Sequence, residues 1–132
     1  WIHPHYLAYF NESVGGPKYG YTVLADSNLD WGQGLKQLKA FMTTHQINKV
    51  ALSYFGTDAP ERFGIDYVAL PSLMLLNPAA ARENPDPNGW FAISATNLQG
   101  VYFEGHDPFA AFRRRNPDAT IGYGLFLYHG LR

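Results

Sequence analysis

Trp31, Leu35, Leu38 and Met42 recur at spacings of four, three and four, which puts them on one face of a helix. Ser27 or Asn28 can cap the start of that helix and Asp30 lies in its first turn. Lys36 and Lys39 follow later, the order the helix dipole favours. On either side lie two runs rich in aromatic and β-branched residues, 19–25 (YGYTVLA) and 49–55 (KVALSYF), both read as buried strands. A strand, an amphipathic helix and a strand joined by short connections make a βαβ unit, whose two strands pair in parallel. Few other constraints on this chain are as tight.

The remaining segments are read around that unit. Gly15-Gly16-Pro17 marks a turn, and a short helix before it carries Tyr6, Leu7, Tyr9 and Phe10. Residues 59–64 make one helical turn, and 77–89, with three prolines, form an irregular excursion. Trp90 to Thr96 (WFAISAT) is a third strand. Asp107-Pro108 starts a helix that runs to about Arg115 and stops before Pro117. Thr120 to His129 (TIGYGLFLYH) reads as a single long final strand, at an edge or reversed in direction. The expectation is one α/β domain over residues 1–132, with 1–17 an aromatic, helical lead-in and 18–132 the sheet core. Its architecture would be a small, open, mostly parallel sheet of about four strands with helices on its faces, a three-layer arrangement of the Rossmann or flavodoxin kind.

Composition narrows the function classes. With 46% hydrophobic, 16% aromatic and only 16% charged residues, the chain buries much of its surface or rests it against something else. Its 10 basic and 11 acidic residues, a net charge of −1, give no footing for sequence-independent nucleic-acid binding. The absence of cysteine excludes a disulfide scaffold, a thiol nucleophile and a thiolate zinc site. The longest apolar run, Val68 to Leu76, is broken by Pro71 and Ser72 and falls short of the ~20 residues a membrane span needs. The opening stretch from Trp1 to Phe10 is rich in the interfacial residues Trp and Tyr, a pattern read as the exit of a preceding transmembrane helix, with packing of these aromatics on the domain's own core as its alternative.

Three polar clusters fall at or just past the ends of expected strands: residues 26–33 (DSNLDWGQ), 53–58 (SYFGTD) and 94–100 (SATNLQG). In open α/β sheets ligands sit at the carboxyl edge, so the three together outline a candidate site. Turns and helix caps use the same residue types, and each cluster alone has that plainer reading. Asp26, Asn28 and Asp30 alternate as at the start of an EF-hand, but the sixth residue is Trp31 and the twelfth Gln37, which rejects that motif. Asp26 and Asp30 leave room for a looser divalent-cation site, and no other cofactor is expected. Gly32-Gln33-Gly34 is only a fragment of a dinucleotide fingerprint. The five histidines form no paired ligand set. Arg113-Arg114-Arg115 reads as a solvated helix end, with contact to anionic lipid headgroups as its alternative.

The blocks 5–12 (HYLAYFNE), Gly15-Gly16-Pro17, 26–33, Ser53-Tyr54-Phe55-Gly56, 94–100 and Gly122-Tyr123, in this order, resemble the C-terminal soluble domain of certain bacterial multi-pass membrane glycosyltransferases. These are similar to the dolichyl-phosphate-mannose–protein mannosyltransferase family. The resemblance spans nearly the whole chain and is most specific in the D-S-N-x-D-W-G-Q block. Gly34 stands where the family pattern has an acidic residue. The resemblance implies a periplasmic, extracytoplasmic domain of an enzyme that takes sugar from a polyprenyl-phosphate carrier. The catalytic acid would sit in the membrane domain, so no catalytic residue is carried over to this chain. The implied partners are the transmembrane domain of the same polypeptide, the membrane surface and a lipid-linked sugar or acceptor. Polar contacts would come from Asp26, Asn28, Asp30, Gln33, Asn97 and Gln99, and stacking faces from Trp31, Tyr54 and Phe55, because sugars present hydroxyl rims and weakly apolar C–H faces. Two further readings stand beside this one: a structural or docking module, and a free-standing hydrolase using Asp26 and Asp30.

Overall fold

The computed structural model describes residues 33–72, 77–100, 103, 105–122 and 124–131. Helix α1 (Gln33–Thr44) buries Leu35, Leu38 and Met42, the three described members of the stripe read from the sequence. Strand β1 (Val50–Ser53) follows, buried throughout, then a 3-10 turn at Pro60–Phe63 and the short strand β2 (Tyr67–Ala69). A second 3-10 turn at Ala80–Arg82 lies in the proline-rich excursion. Strand β3 (Trp90–Ser94) runs straight into the four-residue helix α2 (Ala95–Leu98), and α3 (Ala110–Arg113) precedes β4 (Ala119–Ile121) and β5 (Leu125–His129).

Among the described residues the sheet has five strands, in the order β2-β1-β3-β5-β4. Strand β1 pairs in parallel with β2 and with β3, Val50 opposite Trp90 and Ser53 opposite Ile93. Strand β5 pairs antiparallel with both β3 and β4. The sheet is therefore mixed, which corrects the expectation of a mostly parallel, four-stranded sheet of the Rossmann or flavodoxin kind. The first expected strand, 19–25, lies outside the described residues, as does the expected helix before Gly15.

The correction has a local cause. The segment 120–129, read as one strand, is a hairpin. Gly122 has φ +57°, a left-handed conformation that L side chains adopt only under strain, and the chain reverses there. The crossover through α2 and α3 delivers β4 in the same direction as β3 but one strand position away. The hairpin then brings β5 back, reversed, into the gap between them. Strand β2 has only three residues and follows a 3-10 turn, too little for a periodicity to show.

Alternation along the central strands sorts side chains to two faces. Val50 and Leu52 of β1, Ala92 of β3, and Leu125 and Leu127 of β5 face α1 in one core. Ala51, Phe91, Ile93, Phe126 and Tyr128 face Leu98 of α2 and Phe109 and Phe112 beside and in α3. This two-sided burial explains why β1, β3 and β5 read as near-continuous apolar runs. No helix among the described residues is long and apolar enough to cross a membrane.

Candidate functional site

Among the described residues, the carboxyl ends of the parallel strands β1, β2 and β3 carry polar residues. Ser53 closes β1, Pro71 and Ser72 follow β2, and Ser94 closes β3 just ahead of Asn97 in α2. One buried side chain joins all three loops. Asn97 Nδ2 donates to Ser53 Oγ at 2.9 Å and to Ser72 Oγ at 3.1 Å, across 44 and 25 residues of sequence. Ser53 Oγ donates in turn to the Pro71 carbonyl, and Ser72 Oγ to the Tyr54 carbonyl, both at 2.7 Å. Ser94 Oγ accepts from the Phe55 backbone N–H at 2.9 Å.

These bonds also fix which way the amide points. A carbonyl only accepts, so each serine proton is committed to its carbonyl and each Oγ faces Asn97 as an acceptor. The Asn97 nitrogen must therefore face the serines, which turns Oδ1 away from them. Asn97 is 1% exposed, and its Oδ1 is a buried acceptor with no hydrogen-bond partner among the described residues.

Arg113 braces the loop from behind. Its Nη1 donates to the Leu98 carbonyl at 2.7 Å, and its guanidinium pairs with Asp107 through both nitrogens. Asp107 Oδ1 also accepts the Phe109 N–H at 3.0 Å. The hydrogen-bonded Arg113, opposed by partial burial and helped by the Phe109 N–H, holds the Asp107 carboxyl below its usual range. Gly100 turns tightly against this pair: at φ +72°, an added Cβ would lie 2.8 Å from Asp107 Oδ1. Arg115 is likewise engaged, with Asp118 and the Gly130 carbonyl. Two of the three arginines of the basic run, Arg113 and Arg115, are thus bonded within the fold.

Of the candidates read from the sequence, Asp26, Asn28, Asp30 and Trp31 lie outside the described residues, and with them the suggested cation site. Gln33 is exposed at the first described position of α1. Tyr54 is 1% exposed and belongs to the core beneath α1. Phe55 and Gln99 are half-buried. The second and third polar blocks are therefore brought together, with Asn97 and the serines inside and Phe55 and Gln99 at the rim. Ser72 and Arg113 were not among the candidates. Nothing local marks Ser72, whose partners are distant in sequence; Asp107, read as the cap of a helix running to about Arg115, instead lies ahead of the shorter α3, whose N-cap is Phe109, and pairs with Arg113.

A separate hollow of about 220 Å³ is lined by Glu61, Asp66, Tyr67, Asn77 and Glu83. Tyr67 Oη donates to Glu61, and burial with this bond pushes the phenol well above its ordinary range. Among the described residues no group of three or more His, Asp or Glu side chains could hold a metal ion. Comparison of the chain with protein-family models, curated proteins and solved structures finds no match.

Proposed function

We propose that this chain is a non-catalytic, extracytoplasmic accessory domain of a membrane glycosyltransferase that uses a polyprenyl-phosphate-linked sugar, and that it assists binding of the acceptor or the sugar headgroup. The observation that carries the reading is the union of two motif blocks behind the family resemblance. Ser53 and Asn97 bond to each other although 44 residues separate them. A shared network at the carboxyl edge of parallel strands is the arrangement expected of a site assembled from several loops. Phe55 supplies an apolar ring and Gln99 an amide at its half-buried rim. On this reading the domain sits on the periplasmic face, covers the membrane helices of the same polypeptide, and leaves the chemistry to them.

A structural or docking module is the second reading, and the burial of Tyr54, Ser94 and Asn97 favours it, because these groups already serve the fold. Rim variants separate the two. In the membrane-embedded parent, Phe55→Ala and Gln99→Ala should each lower sugar transfer about tenfold, equivalent to ~1.4 kcal/mol, with melting temperature unchanged. Transfer at the parental rate by both folded variants would leave only the docking role.

A further inference from the structure

We infer that Asn88 and Gly89 form a self-modification site, at which the Asn88 side-chain amide is lost as ammonia and the resulting isoaspartate unfastens this turn from the chain end after β5; this stands apart from the accessory reading above. Asn88-Gly89 is the one Asn-Gly pair in the sequence. Asn88 is exposed in a tight turn just ahead of β3. Its N–H donates to Asp86 Oδ1 at 2.9 Å, and the Gly89 N–H donates to the Asp86 carbonyl at 3.0 Å. The turn demands glycine, because a Cβ added at Gly89 would stand 3.2 Å from the Asp86 carbonyl oxygen. The same missing Cβ leaves the Gly89 nitrogen uncrowded for attack on Asn88 Cγ. A hollow of about 270 Å³, lined by Pro87, Asn88, His129, Gly130 and Leu131, opens water to the pair.

The other described asparagines are poorer reactants. Asn77, Asn84 and Asn116 precede proline, whose nitrogen carries no proton to give up. Asn97 is buried with its amide in the serine network, and Asn48 precedes Lys49, whose side chain crowds the attack. At Asn88, hydroxide takes the Gly89 amide proton, the nitrogen bonds to Cγ, and ammonia leaves as a succinimide closes. Water reopens the ring at either carbonyl, giving aspartate or isoaspartate. One water enters and one ammonia leaves, with no oxidation. Because the Gly89 N–H is bonded to Asp86, the reaction passes through opening of the turn.

The product acts on what the turn holds. The Gly130 N–H donates to the Gly89 carbonyl and the Leu131 N–H to the Pro87 carbonyl, both at 2.8 Å. Isoaspartate carries the main chain through Cβ and Cγ, which inserts a methylene between these two carbonyls. It also sets a second carboxylate close to Asp86, and the like charges repel. Both changes spoil the register with residues 130 and 131.

The test incubates the folded chain at mildly alkaline pH and samples it over time. Peptide mapping reads isoaspartate, and hydrogen exchange reads the Gly130 and Leu131 amides. Asn88 should convert ahead of every other described asparagine. In the converted fraction the two amides should exchange about tenfold faster, ~1.4 kcal/mol of lost pairing. The Asn88→Gln variant, which would need a slower six-membered ring closure, should keep both amides protected throughout. Conversion of Asn88 in urea but not in the folded chain overturns the inference. So does conversion that leaves Gly130 and Leu131 protected, and so does equal loss of protection in Asn88→Gln, which would assign the ageing to another residue.

Discussion

Asn97 binds three loops with one amide, so the cost of disturbing it falls on groups far away in sequence. Ser53→Ala removes the donor to the Pro71 carbonyl and one acceptor of Asn97 Nδ2. Both surviving groups are left short of a partner in a buried site, and the expected loss is about 1–3 kcal/mol in urea denaturation, with the slope unchanged. Asp107 responds to pH instead. Its folded-state carboxyl is held below its ordinary value, chiefly by Arg113, so the pair stabilises the fold above the ordinary carboxylate pKa. That contribution fades as pH falls through the depressed folded value. The side chains of Arg113 and Asp107 are 32% and 30% exposed, so the effect is modest. Asp107→Asn should lower the melting temperature at pH 7 and flatten its decline toward acid; an unchanged acid profile would show that another carboxylate governs it.

Among the elements, α1 was the most legible. Its stripe of Leu35, Leu38 and Met42 is buried as the spacing requires, because the period of a helix is written into local sequence. The strand at 90–96 was legible to Ser94, after which Ala95 and Thr96 enter α2. The final hairpin was not legible. TIGYG has enough β-branched and aromatic residues to pass as strand, and only the backbone at Gly122, with φ +57°, discloses the turn. Gly122→Val should therefore cost about 1–2 kcal/mol or more, since a β-branched side chain resists that conformation, and a lowered melting temperature measures it. An unaltered melting temperature would mean that the turn tolerates a rearranged backbone.

At the largest scale, one sheet divides two cores among the described residues. Leu38 lies on the α1 face and Phe109 on the opposite face, both essentially fully buried. Because β1, β3 and β5 contribute to both faces, neither core survives alone. Leu38→Ala is expected to cost about 2–5 kcal/mol and Phe109→Ala about 3–5 kcal/mol. Each should shift one common calorimetric transition rather than split it. Two separable transitions in either variant would show that the faces unfold independently.

The sequence by itself determined what depends on near neighbours: the helix stripe of α1, the doubly buried runs of β1 and β3, and the clustering of polar residues after strands. Local periodicity and turn chemistry carry those features, and both act over a few residues. Tertiary structure decided the rest. The reversed insertion of β5 between β3 and β4 depends on a crossover that overshoots by one strand and a glycine turn that returns the chain. The meeting of Ser53, Ser72 and Asn97 depends on strands that are adjacent in the sheet but distant in the chain. Their identities could be read in sequence, but their hydrogen bonds form only once strand order places three loops at one edge.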